Sequence, residues 1–151
     1  MAYLNYEKKT VNGGLVVFAR FKGATELNLI DQRISEECKQ TFEEILALEG
    51  LRCVFLSGAS GKSFIGGADL KSLQSLTTAS ANGFIKSIHE FCHVIRTAKV
   101  PVIAVMSGYC LGAGLEIAVS CDFRIADDSI RCGMPEVRVG VPSVVEAALL
   151  P

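Results

Sequence analysis

Two glutamates, Glu116 and Glu136, are the residues of this sequence best suited to chemistry. Glu116 stands between apolar residues, Leu115 and Ile117, in the first turn of a predicted helix, so a surface position is not expected. Burial raises the pKa of a carboxyl group toward the range in which it works as a general acid or base. Glu136 follows Pro135 in a separate loop. Taken alone, both residues are equally well explained as acids that stabilise helix N-termini.

The helix that carries Glu116 is preceded by a turn of small residues, Gly112-Ala113-Gly114. A helix N-terminus of this kind presents free N–H groups to a ligand that approaches closely, and such donors suit a developing oxyanion. A carboxylate near the turn and a second one from another loop would supply proton transfer beside it. This combination predicts proton abstraction or addition next to a carbonyl group. Tight packing between two elements is the alternative explanation for the small residues.

Two glycine-rich loops of the sequence agree only in part with known nucleotide-binding motifs. The stretch LSGASGKSFIGGADL at 56–70 contains Gly61-Lys62-Ser63, but the P-loop pattern would need a glycine where Leu56 stands. A dinucleotide fingerprint that begins at Gly112 would need a glycine where Ile117 stands. We therefore expect the glycines of both loops to serve another purpose.

A third motif, H-E-x-x-H, is formed by His89, Glu90 and His93 and is typical of zinc sites on helices. The apolar stripe of this predicted helix does not include the histidines; it consists of Phe84, Ile88, Phe91 and Ile95. The chain has 2 histidines, so a third imidazole ligand is not available. We expect a solvated helix face here and no metal site.

Composition limits the classes of protein to be considered. With 151 residues, of which 50% are hydrophobic, the chain suits one domain with a sizeable core. A net charge of −1 argues against nucleic-acid binding. The N-terminus lacks the apolar stretch of a signal peptide, and no apolar run approaches the roughly 18 residues of a membrane-spanning helix. The 6 cysteines are scattered, which predicts no disulfide framework and an intracellular location, in the cytoplasm first, with mitochondria or peroxisomes left open.

The alternation of strand and helix patterns predicts an α/β fold. Strands are predicted at 4–10 and 15–21, as a hairpin around Asn12-Gly13, and at 52–57, 100–106 and 123–126. Helices are predicted at 34–46, from an Asp69 cap to residue 76, at 84–95 and at 115–121, with a glycine-rich turn at 108–114 and an apolar helical pattern at 144–150.

Three blocks of the sequence resemble the crotonase superfamily, the enoyl-CoA hydratase/isomerase fold. They are SFIGGADLKSL at 63–73, KVPVIAVMSGYCLGAGLEIAVSCDFRIADD at 99–128 and GMPEVRVGVP at 133–142. The order and spacing of the blocks also fit. The resemblance implies a crotonase-like (ClpP/crotonase) α/β fold built as a repeated ββα spiral. Residues 1–151 would be its N-terminal part, one acyl-CoA-binding core that is incomplete at its C-terminus.

The resemblance also implies the roles of individual residues. The backbone N–H groups of Ala68, in the G-A-D motif, and of Ala113, in place of the family's usual glycine, would form an oxyanion hole for the thioester. Glu116 and Glu136 match the two acids of the family's hydratases. The substrate-binding positions implied are Lys62, Phe64, Ile65, Gly66, Gly67, Asp69, Leu70 and Gly112, with the carbonyls of 64–66 facing the adenine and Lys62 facing a phosphate.

The activity that the resemblance implies is hydration of a 2-enoyl-CoA thioester to a 3-hydroxyacyl-CoA, with Glu136 giving its proton to C2. An enoyl-CoA isomerase that uses Glu136 alone is an alternative, and so is a catalytically silent protein that acts through subunit association. Coenzyme A would be part of the substrate, and no separate cofactor or metal is expected. The resemblance further implies a homo-oligomer, a trimer or dimer of trimers. A nucleic-acid or membrane partner is not expected.

Overall fold

The computed structural model describes residues 2–140 and 145–150. The strands are β1 (Leu4–Val11), β2 (Gly14–Phe21), β3 (Leu51–Gly58), β4 (Ser63–Ile65), β5 (Val102–Met106), β6 (Tyr109–Leu111), β7 (Phe123–Ala126) and β8 (Arg131–Gly133). The α-helices are α1 (Gln32–Leu46), α2 (Leu70–Gln74), α3 (Thr78–Arg96) and α4 (Ala113–Ser120). Two short 3-10 helices, Pro135–Val139 and Ala147–Leu149, complete the described elements.

The strands form two sheets that are linked by a repeating unit. The first sheet has the order β1-β2-β3-β5-β7, and the second has the order β4-β6-β8. Each of the consecutive strand pairs β3/β4, β5/β6 and β7/β8 gives its first strand to the first sheet and its second strand to the second sheet, and a helix follows. All pairings except β1 with β2 are parallel. This is a ββα spiral, and it confirms the predicted fold class.

The N-terminal hairpin was predicted from the dipeptide Asn12-Gly13 and is confirmed. Both residues have positive φ angles, 49° and 77°, as the two-residue turn of a hairpin requires. The turn sets the register, in which Val11 pairs with Gly14 and Leu4 with Phe21. The hairpin thereby begins the first sheet.

The core lies between the first sheet and helices α1 and α3. Alternate residues of β2 face it, because side chains of a strand alternate between its two faces. From the helices, Cys38, Phe42 and Phe91 are fully buried, which confirms the predicted apolar stripes. The rings of Phe42 and Phe91 meet edge to face at 6.0 Å between centroids. These contacts pack α3 against α1, and α3 in turn contributes lining residues to the candidate site.

Several predicted boundaries are corrected by the structure. The strand predicted at 100–106 begins at Val102, after Pro101, whose nitrogen has no hydrogen to donate to a ladder. The helix predicted at 115–121 begins two residues earlier, at Ala113, and α2 ends at Gln74 rather than at residue 76. The glycine-rich turn at 108–114 contains strand β6, and β4 and β8 were not predicted at all.

The C-terminal helical pattern at 144–150 is described only in part, since residues 141–144 lie outside the described residues. The last part contains the 3-10 helix Ala147–Leu149. Within the described ranges, no helix is both long and apolar enough to cross a membrane.

Candidate active site

Two loops are brought together by glycines that pack against backbone. A side chain on Gly114 would collide with the carbonyl oxygen of Ile65, so α4 lies directly on β4. A β-carbon on Gly67 would stand 3.2 Å from the carbonyl oxygen of Leu111, and Gly67 has a φ of +108°. The loop that follows β4 and the turn that precedes α4 are therefore neighbours.

The backbone N–H groups of Ala68 and Ala113 are the candidate oxyanion donors. Residues on both sides of Ala68 pair with Ile30: the Ile30 N–H donates to Gly67 at 3.0 Å, and the Asp69 N–H donates to Ile30 at 2.9 Å. Ala113 is the first residue of α4, so its N–H has no acceptor within the helix. Within residues 2–140 and 145–150, neither N–H donates to a protein acceptor. Both residues line the same cavity.

This cavity has a volume of about 720 Å³. Its lining includes Ala68, Ala113, Glu116 and Glu136. One wall is apolar and comes from α2, α3 and the residues between them, namely Leu73, Leu76, Phe84, Ile85 and Ile88. The cavity therefore offers an apolar surface that leads to two carboxyl groups and two N–H donors.

Glu116 is buried as predicted, with 3% of its surface exposed. Its Oε1 atom accepts a hydrogen bond of 2.9 Å from the backbone N–H of Glu146. Burial raises the pKa of the Glu116 carboxyl group; the Glu146 N–H opposes this increase, and the negative charge of nearby Glu136 adds to it. A carboxylate with a raised pKa is a stronger base for taking a proton from water.

Glu136 approaches the N-terminus of α4 from the third ββα unit. It is half-buried and lies in the first turn of the 3-10 helix Pro135–Val139. Its Oε2 atom is 3.2 Å from the place where a β-carbon on Gly112 would stand, and Gly112 has a φ of +50°. Glycine at 112 is thus favoured both by the backbone conformation and by the space that the Glu136 carboxyl group occupies.

The other predicted binding residues fall into two groups. Gly66, Gly67, Asp69, Leu70 and Gly112 line the cavity. Asp69 also caps α2, since its Oδ1 atom accepts the Lys71 N–H at 2.8 Å. The remaining three, Phe64, Ile65 and Lys62, do not line it.

Of these three, Phe64 and Ile65 have their side chains in the core, so only their backbone atoms can meet a ligand. The Nζ atom of Lys62 lies 2.6 Å from Oε2 of Glu26, and both side chains are exposed. A phosphate contact from Lys62 would therefore compete with this surface ion pair.

The histidine motif forms part of a contact that the sequence did not predict. His89 lies on α3 with its Nδ1 atom 2.9 Å from Oε1 of Glu146. Among the described residues, no group of three or more potential ligands is placed to hold a metal ion. Glu146 was missed as a site residue, although it is a carboxylate within an apolar run, as Glu116 is.

Comparisons with known proteins identify the family to which this chain is similar. The sequence profile of the enoyl-CoA hydratase/isomerase family matches residues 12–150. The short-chain-enoyl-CoA hydratase of Clostridium acetobutylicum is 33% identical over 128 residues, which are 85% of this chain and 49% of the relative. The crotonyl-CoA hydratase of Syntrophomonas wolfei is 31% identical over 115 residues, 76% of this chain and 44% of the relative.

Solved structures show the same fold. The crystal structure of an enoyl-CoA hydratase/carnithine racemase from Magnetospirillum magneticum matches with a TM-score of 0.88 at 26% identity, over 99% of this chain and 56% of that one. An enoyl-CoA hydratase from Bacillus anthracis matches with a TM-score of 0.84 at 27% identity, over 93% and 54% of the two chains. The chain thus spans about half the length of these relatives. Because the family profile covers residues 12–150, this protein belongs to the enoyl-CoA hydratase/isomerase family, the crotonase superfamily.

Proposed function

We propose that this site binds an acyl-CoA thioester and adds water across the double bond of a 2-enoyl-CoA, giving a 3-hydroxyacyl-CoA. The observation that carries the proposal is that Glu116 and Glu136 line one cavity with Ala68 and Ala113, whose N–H groups have no protein acceptor among the described residues. Two carboxyl groups beside an oxyanion site are what hydration needs, because it places a hydroxyl group and a proton on adjacent carbons.

The N–H groups of Ala68 and Ala113 would receive the thioester oxygen. As a nucleophile attacks C3 of a 2-enoyl thioester, negative charge moves through C2 to this oxygen. Donors that are already fixed by the β4 loop and by the start of α4 stabilise that charge without reorganisation. The N-terminus of α4 adds its positive partial charge at the same place.

The two carboxyl groups would divide the proton transfers between them. Glu116, ionised, takes one proton from water while the oxygen of that water bonds to C3. For this step Glu136 must carry a proton, which it gives to C2 as the enolate collapses. After the reaction Glu116 carries the proton and Glu136 is ionised. Proton exchange between the two residues through solvent restores the starting state. Because its pKa is raised, the ionised form of Glu116 is a stronger base than an ordinary carboxylate.

The apolar wall from α2 and α3 would hold the acyl chain. Its leucine, isoleucine and phenylalanine side chains offer a fatty acyl group burial without unpaired polar atoms. The names of the two hydratases above, which act on enoyl-CoA and crotonyl-CoA, support this substrate class. Assembly into a trimer or dimer of trimers stays a prediction of the resemblance, and an intracellular location stays a prediction from the scattered cysteines.

The test is mass spectrometry of a short 2-enoyl-CoA incubated with the protein in heavy water, with the Glu136→Gln variant as control. Gain of one water together with one deuterium at C2, lost in the variant, would support hydration. Deuterium uptake without gain of water would show the isomerase reaction through Glu136 alone. An unchanged substrate that nevertheless binds would show a catalytically silent chain, and size-exclusion chromatography would then test whether it associates with other subunits.

A further inference from the structure

We propose that Glu146 is a positioning residue for Glu116: Arg96 and His89 of α3 anchor its side chain, so that its backbone N–H holds the catalytic carboxylate in place. The role assigned to Glu116 rests on the proposed function. The contacts of Glu146 are independent of it.

Glu146 is buried although it carries a carboxylate, with 5% of its surface exposed. Its Oε2 atom accepts a hydrogen bond of 3.0 Å from Nη1 of Arg96. Its Oε1 atom lies 2.9 Å from Nδ1 of His89. The side chains of Arg96 and His89 are 44% and 53% exposed, so solvent reaches these two partners but hardly reaches the acid. A carboxylate so buried is kept in place by its partners, because leaving them would expose it unpaired to a poorly solvated site.

The anchor acts on Glu116 through the backbone. Holding the side chain of Glu146 at its carboxylate restricts the position of its backbone N–H. This N–H donates the 2.9 Å hydrogen bond to Oε1 of Glu116 on α4. The preceding residue, Val145, lines the cavity beside Glu116. The segment 145–150 is therefore joined to α3 by side-chain contacts and to α4 by the hydrogen bond to Glu116. Loss of the side-chain contacts with α3 would release the Glu146 N–H that donates to Glu116.

A simpler role must be distinguished from this one. The contacts with Arg96 and His89 could fasten the segment 145–150 to α3 without any influence on Glu116. The titration of Glu116 separates the two roles, since an N–H donor favours the ionised carboxylate whereas a nearby negative charge opposes it. The acidic groups that face Glu116 are Glu136, Glu146 and the thiol of Cys92.

Two variants change these influences in opposite ways. Glu146→Gln removes the negative charge but keeps an oxygen for Arg96, so the N–H stays in place and the pKa of Glu116 falls or stays the same. Glu146→Ala removes the anchor. The loss of the hydrogen bond then outweighs the loss of the charge, and the pKa of Glu116 rises. Glu90→Gln is the matched control: Glu90 lies on α3, as His89 and Arg96 do, and pairs with Lys39 at 2.8 Å.

The measurements are the carboxyl titration of Glu116 by carbon-13 NMR, assigned with Glu116→Gln, and the kinetics of 2-enoyl-CoA hydration. For Glu146→Ala we expect a raised pKa of Glu116 and a kcat at least about tenfold lower, with KM within about twofold. Glu146→Gln should recover most of kcat, and Glu90→Gln should match the wild type in both measurements.

The outcomes separate this inference from the proposed function. If the wild type does not hydrate the substrate but Glu146→Ala alone raises the pKa of Glu116, the proposed function fails and the positioning role stands. If the wild type is active and both Glu146 variants lower that pKa with kcat unchanged, hydration stands and the positioning role is overturned. A Glu146→Ala variant that melts well below the others without raising the pKa of Glu116 would also overturn it, in favour of a purely structural contact.

Discussion

Gly114 lies so close to the carbonyl oxygen of Ile65 that no side chain fits between them. This contact joins α4, which carries Glu116, to β4, which leads to Ala68. The position of one oxyanion donor relative to the other therefore depends on the absence of a single methyl group.

Substitution Gly114→Ala is expected to destabilise the protein by about 1–3 kcal/mol, the usual cost of overpacking a closely packed position. The obstacle is backbone, which cannot move aside as a side chain can. Chemical denaturation measures the change. Gly83→Ala is the matched control, because Gly83 also lies in a helix but its nearest atoms belong to the flexible side chain of Gln32. That control should stabilise the protein by about 0.5–1 kcal/mol. Equal effects of both variants would contradict the importance of the contact with Ile65.

Substitution Ala113→Pro is expected to remove one oxyanion donor and leave the helix intact. Ala113 is the first residue of α4, where proline is tolerated because the N–H there has no helical acceptor. We expect kcat to fall about 10²–10³-fold, the usual effect of deleting such a donor. Steady-state kinetics with a 2-enoyl-CoA would measure it, and circular dichroism would verify the fold. Ala113→Gly, which keeps the N–H, should stay near wild-type activity; a similar loss in both variants would argue against a role for this donor.

Substitution Glu116→Gln is expected to lower kcat about 10²–10⁴-fold, because the amide cannot take a proton from water. KM should change little, since the volume of the side chain and its acceptor for the Glu146 N–H remain. Initial rates of hydration and binding of the substrate by fluorescence would provide both quantities. Retention of full hydration activity would remove Glu116 from the mechanism.

The same variant is expected to alter the dependence of stability on pH. The folded state raises the pKa of Glu116 above its value in the unfolded chain, so folding favours the protonated form. Wild-type stability gained from this group is complete below the unfolded pKa of about 4.3 and is lost as pH rises through the higher folded pKa. Glu116→Gln resembles the protonated form and should therefore be more stable than the wild type at neutral pH. This difference in stability should become smaller as the pH falls. Urea denaturation across this range measures the difference.

Glu90 is a comparison in which folding lowers the pKa of the carboxyl group instead of raising it. Its hydrogen bond and ion pair with Lys39 lower its pKa in the folded state, so its contribution is present above the unfolded pKa and is lost as pH falls. Glu90→Gln should not become more stable than the wild type at neutral pH. Parallel behaviour of the two variants would show that a general loss of negative charge, rather than the burial of Glu116, is responsible.

The larger elements could be predicted from the sequence because their signals are local. The spacing of Cys38, Phe42 and Ile45 reflects the face that α1 buries. The dipeptide Asn12-Gly13 favours the positive φ angles of a two-residue hairpin turn. Strands β4, β6 and β8 have three residues each, too few for a period to be recognised. Their pairing is determined by contacts between distant parts of the chain, such as the close approach of Gly108 to Lys62, which no local pattern reveals.

Burial of Glu116 followed from its apolar neighbours, but its hydrogen-bond donor did not. Glu146 is 30 residues away in sequence. Its partners, Arg96 and His89, lie off the apolar stripe of α3, and this pattern predicts a solvated helix face. These two half-exposed side chains join a buried contact only because the segment 145–150 docks on α3.

The spiral order of the ββα units also determines when the site can be completed during synthesis. The oxyanion donors and Glu116 belong to the first two units, and Glu136 belongs to the third. A ribosome that adds roughly 5–20 residues per second reaches Glu136 about 1–4 s after Glu116. In that interval the nascent chain carries one acid of the pair without the other. The two candidate acids are thus synthesised in a fixed order, Glu116 before Glu136, and Glu146 follows both.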